Sequence, residues 1–183
     1  WPFRNLVVNC DGRVSCGCTD PTVKRPVGDL NVQSVREVWE GAGIEAIRQG
    51  LVRGDARACG DCLMLKRNLL APGQVRMPRY PPTMHIEPSV VCNLHCPFPA
   101  CEVLEEDPSR NDRQMSLELF QKILDEAGPH LERMFFYNYG EPFVNPHALE
   151  MLAYAKRVNP KMFILTSTNG LPLLKGDRIR KLV

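Results

Sequence analysis

Three apolar, strand-like segments alternate with two helix-like segments between residues 84 and 168, and this order constrains the fold more than any other feature. The strand-like segments are MHIEPSVV, RMFFYNY and KMFILTST. The first helix-like segment, SLELFQKILDEAG, has Ser116 as its cap, and the second is expected to open at Asn145-Pro146 and to run to about Val158. Strands and helices that alternate at this spacing predict βα units and a parallel sheet.

The chain has 183 residues and a formal net charge of +2, with both signs spread along it. This length allows one or two domains with a sizeable core. The even charge distribution gives no reason to expect nucleic acid or a membrane surface as a partner. No apolar run is long enough to span a bilayer, and we recognise no signal peptide, so we expect a cytoplasmic protein. Because the chain begins at Trp1, we interpret it as a fragment of a longer protein.

A proline-rich stretch divides the sequence into two regions. We predict a small α+β cysteine-rich module over residues 1–68, a linker over residues 69–82, and a second region over residues 83–183. The fold class we expect is α/β, with the parallel sheet in the second region.

The N-terminal module shows signals for a hairpin and a helix. LVVNCDGRVSCGC alternates around the turn signal Asp11-Gly12, which predicts two antiparallel strands. SVREVWEGAGIEAIRQG predicts a helix, and Ser34 with Glu37 fits a capping box. A module of this size has little core, so a bound metal would help it to fold.

The chain contains eight cysteines in two groups. The first group is Cys10, Cys16, Cys18, Cys59 and Cys62, and the second is Cys92, Cys96 and Cys101. In a reducing compartment such clusters hold metal more often than they form disulfides. Disulfides are the alternative, and they would require an export signal.

The second group follows the first strand of the βα series, where loops at the carboxyl ends of strands carry function. Three thiolates on one loop can hold three irons of a [4Fe–4S] cluster and leave the fourth iron open to a substrate. The alternative is a zinc ion bound by Cys92, Cys96 and Cys101, with His95 as the fourth ligand.

Three motifs at successive strand ends resemble the radical SAM superfamily. They are IEPSVVCNLHCPFPAC after the first strand, NYGEP after the second and STNG after the third. The resemblance covers residues 83–183 and implies a partial (β/α) radical SAM barrel, comprising its first three βα units. The cysteine spacing here is C-x3-C-x4-C, and Pro99 stands where the usual C-x3-C-x2-C pattern has its third cysteine.

The resemblance also implies which residues bind the cofactors. Cys92, Cys96 and Cys101 would ligate a [4Fe–4S] cluster. The residues expected around S-adenosylmethionine are Phe98, Tyr139, Gly140, Glu141, Pro142, Thr168, Asn169 and Gly170. The implied chemistry is reductive cleavage of S-adenosylmethionine to methionine and a 5′-deoxyadenosyl radical. The electron would come from a low-potential donor of the flavodoxin or ferredoxin type.

The N-terminal module resembles a SPASM or twitch-type auxiliary-cluster domain through DGRVSCGC, VGDL, SVREVW, IRQG and CGDC. This resemblance implies a second [4Fe–4S] cluster. Its expected ligands are Cys16, Cys18, Cys59 and Cys62, with Cys10 as an alternative ligand. A structural zinc site is the other interpretation, because CxxC is also a zinc signature.

Together these patterns favour a radical SAM enzyme of the SPASM type, an oxidoreductase or maturase. Its substrate would be a peptide, a protein or a small molecule. Two other classes of function fit the same residues. One is a zinc-stapled binding module with a degenerate barrel, and the other is an iron–sulfur protein for electron transfer or sensing.

Overall fold

The computed structural model describes residues 2–17, 20–55, 77–97 and 114–182. These residues form a six-stranded sheet with helices packed on it. The strands are β1 (Asn5–Val8), β2 (Arg13–Ser15), β3 (Gly28–Asp29), β4 (Thr83–Ile86), β5 (Arg133–Phe135) and β6 (Phe163–Leu165). The helices are α1 (Val35–Trp39), α2 (Ala42–Val52), α3 (Leu117–Ala127) and α4 (Ala148–Val158). Short 3-10 turns cover Gly128–His130, Pro142–Val144 and Leu171–Leu174.

The strand order is β3-β2-β1-β4-β5-β6. Strands β4, β5 and β6 are parallel neighbours, as the alternation of strands and helices predicts. Strands β1 and β2 form the predicted antiparallel hairpin. Gly12 in its turn has a φ of +87°, a left-handed conformation that suits glycine.

Strand β1 also pairs with β4, in parallel, so the hairpin of the N-terminal module and the βα series share one sheet. The register places Leu6 opposite Met84 and Val7 opposite His85. The N–H of Thr83 donates to the carbonyl of Arg4 (3.1 Å), which extends the pairing by one residue. All four residues of β1 are buried, as expected for a strand between two neighbours. The division of the chain at residues 69–82 stays a prediction, because most of that stretch lies outside the described residues.

One apolar core joins the two parts of the sheet to the helices. Alternate residues of the strands face the helices, among them Leu6, Met84 and Met134. Helix α3 contributes Phe120, whose ring meets that of Phe136 edge-on with centroids 6.0 Å apart. Helix α3, the strands of the second region and the hairpin of the N-terminal module therefore contribute residues to the same core.

Two side chains of α3 bind the N-terminal module directly. The carboxylate of Glu126 accepts hydrogen bonds from the backbone N–H groups of Val35 (2.7 Å) and Arg36 (2.9 Å), at the start of α1. Lys122 donates its Nζ to the carbonyl of Leu30 (2.6 Å). An anionic group at a helix N-terminus is stabilising, since the first N–H groups of a helix lack partners within it.

The helix expected over SVREVWEGAGIEAIRQG is in fact two helices, and that prediction is wrong in this respect. Helix α1 begins with the predicted capping box of Ser34 and Glu37 and ends at Trp39. Gly41 then adopts an extended conformation and starts α2. A β-carbon on Gly41 would lie 2.6 Å from the carbonyl oxygen of Glu37, so the close junction of the two helices requires glycine.

The start of α4 also differs from the prediction. The helix begins at Ala148 and not at Asn145-Pro146, although it ends at Val158 as expected. Asn145 is buried and extended because its Nδ2 donates to the carbonyls of Pro88 (2.8 Å) and Met115 (2.9 Å). This tertiary anchor outweighs the local preference for a helix that starts at Pro146.

Within the residues described, no helix combines the length and apolar character needed to cross a membrane.

Candidate functional site

The three loops with the sequence motifs leave the sheet at the same edge. The cysteine-bearing loop follows β4, the NYGEP segment (Asn138–Pro142) follows β5, and the STNG segment (167–170) follows β6. Because these strands are parallel neighbours, their carboxyl ends lie side by side. This edge is where open α/β sheets bind ligands.

Glu141 links all three loops. Its carboxylate accepts hydrogen bonds from the hydroxyl of Thr168 (2.7 Å) and the N–H of Asn169 (2.8 Å). It also accepts from the N–H of Phe143 (3.0 Å), while the N–H of Glu141 donates to the carbonyl of Val91 (3.0 Å). The side chain is only 2% exposed, so its donors satisfy a carboxylate that burial would otherwise penalise. Glu141 therefore joins the loops after β5 and β6 through its side chain and the loop after β4 through its backbone N–H.

Gly140 allows the NYGEP segment to lie directly against the cysteine loop. A β-carbon on this residue would lie 2.4 Å from the carbonyl oxygen of Ser89 and 2.5 Å from the carbonyl carbon of Val90. Both are backbone atoms that cannot move aside independently. Any larger residue at position 140 would thus push the two loops apart.

Cys92 and Cys96 lie on the loop after β4 and carry free thiols. The N–H of Leu94 donates to the Sγ of Cys92 (3.4 Å), and the Nδ2 of Asn169 lies 3.9 Å from the same sulfur. The Nδ2 of Asn169 also donates to Oδ1 of Asn93 (3.0 Å). The loop after β6 therefore lies within reach of the first cysteine of the loop after β4. Cys96 is exposed.

Some of the remaining predicted residues of this site are described by the structure and others are not. Among the described residues, Tyr139 and Pro142 lie in the NYGEP segment, and Gly170 ends the STNG segment with a φ of +77°. His95, the alternative zinc ligand, is exposed on the cysteine loop. Phe98, Pro99 and Cys101 lie outside the described residues, so the third cysteine of the predicted cluster stays a prediction.

The cysteines of the N-terminal module lie at different places on the hairpin. Cys16 follows β2 and is half-buried, whereas Cys10 lies in the turn before β2 and is 2% exposed within the apolar core. The three residues of β2 separate them by roughly 10 Å along the strand. Cys18, Cys59 and Cys62 lie outside the described residues. Which of these cysteines bind a cluster therefore stays a prediction.

In the part of the chain that the structure describes, no group of three or more His, Cys, Asp and Glu side chains is arranged to hold a metal ion. Both predicted cluster sites depend on cysteines outside that part.

Two buried polar residues of this edge were missed by sequence reasoning. Glu87 follows β4 directly, and its carboxylate accepts hydrogen bonds from the N–H groups of Cys10 (3.1 Å) and Tyr139 (3.4 Å). Asn145 ties the segment after NYGEP to Pro88. Glu87 stands within the motif IEPSVVCNLHCPFPAC, and the signal for its pairing is a charged residue at the end of an apolar strand, which is uncommon unless the residue is paired.

The comparison with protein families assigns a class to the N-terminal module. Residues 1–63 match SPASM, an iron–sulfur cluster-binding domain. The match covers the hairpin, α1 and α2, together with Cys59 and Cys62. It supports an iron–sulfur protein of the SPASM type.

Among curated proteins, the chain is similar to the tungsten-containing aldehyde ferredoxin oxidoreductase cofactor-modifying protein of Pyrococcus furiosus. The two are 32% identical over 101 residues, which is 54% of this chain and 26% of the relative. The chain thus spans about a quarter of the length of that relative. No solved structure matches the chain.

Proposed function

We propose that this chain is part of a radical SAM enzyme that has a SPASM-type auxiliary iron–sulfur module. The observation that carries the proposal is the meeting of three motifs at one edge of a parallel sheet. Glu141 joins the loops after β4, β5 and β6 through its side chain and backbone. A loop with free thiols at that edge suits a cluster that must be open to a cofactor.

In this proposal Cys92, Cys96 and Cys101 hold a [4Fe–4S] cluster. The thiols of Cys92 and Cys96 fit this role, since each is at least partly accessible and neither is in a disulfide. The bound cluster and S-adenosylmethionine supply reductive cleavage of the sulfonium and a 5′-deoxyadenosyl radical. The chain's own contribution is to position that cofactor: Gly140 brings NYGEP against the cysteine loop, and Asn169 reaches the sulfur of Cys92.

The second cluster of the proposal belongs to the N-terminal module. The family match and the four cysteines Cys16, Cys18, Cys59 and Cys62 support it. Cys10 is 2% exposed within the apolar core, whereas Cys16 is half-buried after β2, and this difference in accessibility supports the set without Cys10. A structural zinc ion in the same place is the competing interpretation.

The substrate and partners are proposed only by class. The name of the Pyrococcus furiosus relative, a cofactor-modifying protein, supports a maturation role in which a cofactor, peptide or protein is modified. The reaction needs a low-potential electron donor of the flavodoxin or ferredoxin type, and a reducing cytoplasm would suit both clusters.

The test is an iron and sulfide count on full-length protein that is reconstituted without oxygen. We expect about eight irons per chain, falling to about four when Cys92, Cys96 and Cys101 are all changed to alanine. The matched control is Cys10→Ala, which removes a thiol from the core and should leave the iron content unchanged. Zinc in place of iron, or no loss in the triple variant, would contradict the proposal.

Cofactor cleavage separates the enzyme from an electron-transfer or sensing protein. With dithionite and S-adenosylmethionine, the wild-type protein should release methionine and 5′-deoxyadenosine, and the triple variant should release neither. Intact S-adenosylmethionine beside a full set of clusters would instead support electron transfer or sensing.

A further inference from the structure

Glu87 is a fully buried carboxylate at the carboxyl end of β4. It follows the apolar strand directly and precedes Pro88, five residues before Cys92. A buried carboxylate is costly unless donors satisfy its oxygens. We therefore ask which donors stabilise the Glu87 carboxylate and what these hydrogen bonds hold in place.

The two oxygens of Glu87 accept from two different parts of the chain. Oε2 accepts from the N–H of Cys10 (3.1 Å), in the hairpin turn of the N-terminal module. Oε1 accepts from the N–H of Tyr139 (3.4 Å), in the NYGEP segment. The backbone N–H of Glu87 donates to the carbonyl of Val8 (2.9 Å), which holds the residue beside the end of β1.

The NYGEP segment is thus held at two successive residues. Tyr139 is held by Glu87, and Gly140 rests against the backbone of Ser89 and Val90. Both contacts come from the short segment between β4 and the first cysteine. A shift of the Glu87 carboxylate would therefore move NYGEP relative to the cysteine loop.

We propose that Glu87 is a positioning residue that makes the placement of NYGEP against the cysteine loop depend on the N-terminal module. The hairpin turn holds one carboxylate oxygen, and the other oxygen holds the loop. The consequence for S-adenosylmethionine binding rests on the proposed function, whereas the coupling of the two backbone segments does not.

The two donors require a carboxylate with both oxygens available. In Glu87→Gln one oxygen becomes an NH₂ group, which would face an N–H and cannot accept from it. In Glu87→Asp the charge is kept, but the side chain is one methylene shorter and reaches only one of the two donors. Both variants keep the side chain small enough for the same space.

The first experiment is amide hydrogen exchange on full-length protein. We expect Glu87→Gln to speed exchange at both Cys10 and Tyr139 by about tenfold, because a buried hydrogen bond is lost on one side and weakened on the other. The matched control is Glu132→Gln, at an exposed carboxylate after the turn that precedes β5, and it should change neither amide. Unchanged exchange at Tyr139, or a change confined to Cys10, would overturn the proposal.

The second experiment measures S-adenosylmethionine affinity of the reconstituted protein. We expect Glu87→Gln to raise the Kd about tenfold at unchanged iron content, and Glu132→Gln to leave it unchanged. If the wild type binds S-adenosylmethionine and the variant binds it equally well, the positioning role is overturned. If the wild type binds none, the proposed function fails, and the exchange result alone decides the role of Glu87.

Should Glu87→Gln not fold, Glu87→Asp is measured in its place, with an intermediate change expected in both experiments.

Discussion

The three parallel strands β4, β5 and β6 have two lateral edges, and these edges differ in what covers them and in how deeply their apolar residues are buried. On the β4 side, β1 adds a parallel strand whose residues are all buried. On the β6 side, no further strand is present among the residues that the structure describes, and Phe163 and Leu165 are 56% and 37% exposed. The N-terminal module therefore contributes to the same core as β4, whereas β6 contributes less of its apolar surface.

This difference shows that the N-terminal module is a structural part of the sheet that the βα series forms. Its hairpin takes the hydrogen-bonding edge of β4, an edge that proteins otherwise protect from unwanted pairing. Its helix α1 is held by Glu126 of α3. The side of the sheet that β1 covers should therefore be the more sensitive to substitution.

The largest difference is expected between two leucines on the outer strands of the parallel segment. Leu6→Ala in β1 removes a fully buried side chain and should lower the free energy of unfolding by about 3 kcal/mol. Leu165→Ala in β6 removes a side chain that is already 37% exposed and should cost less than about 1 kcal/mol. Urea denaturation measures both. Equal losses would mean that the two sides do not differ in this way.

A second prediction concerns the pH dependence of stability on the covered side. His85 lies opposite Val7 and is 5% exposed, with its ring centroid 4.4 Å from that of Phe135. Burial lowers the pKa of His85 to about 4. Between about pH 6.5 and 4 the unfolded chain binds a proton that the folded protein does not, so stability falls as the pH falls through this window, by up to about 3 kcal/mol.

The pH prediction is tested by comparing variants in urea at pH 7 and pH 4.5. His85→Leu should reduce the loss of stability on acidification, since the titrating group is gone. An identical pH dependence in His85→Leu and the wild type would show that His85 does not titrate as described.

Much of the fold could be predicted, because its signals are local. The apolar segments of β4, β5 and β6, the cap at Ser116 and the Asp11-Gly12 turn each lie within a few residues of the structure that they specify. The pairing of β1 with β4 could not be predicted from such signals, since its partners are 78 residues apart in sequence, as Val7 and His85 are. The three consecutive apolar residues Leu6, Val7 and Val8 were the available hint, because an apolar run is typical of a strand with neighbours on both sides.

The candidate site divides in the same way. The NYGEP and STNG segments could be found from their motifs, and the structure brings them together with the loop of Cys92. Glu87 and Asn145 could not be found, because their partners are backbone atoms of distant segments. Asn145 binds the carbonyl of Pro88, 57 residues earlier in the chain. Sequence patterns show which side chains are present but not which distant backbone groups need them.

A smaller effect is expected at the contact between α3 and the module. Glu126→Gln removes the negative charge at the N-terminus of α1 and weakens one of two hydrogen bonds, so stability should fall by about 1 kcal/mol. The matched control is Glu40→Gln, whose carboxylate pairs with Arg36 at the surface and should cost less than about 0.5 kcal/mol. If the two substitutions lower stability equally, the hydrogen bonds from Glu126 of α3 to α1 do not contribute to the stability of the N-terminal module.

The smallest effect is expected for the ion pair that joins the two parts of the chain at the surface. The Nη2 of Arg4, before β1, lies 3.5 Å from Oε2 of Glu132, before β5, and both side chains are about two-thirds exposed. Water and salt screen such a pair, so a double-mutant cycle with Arg4→Ala and Glu132→Ala should give a coupling below about 0.5 kcal/mol. A coupling above 1 kcal/mol that persists in high salt would contradict this. The joint between β1 and β4 would then depend on surface charge as well as on the buried core.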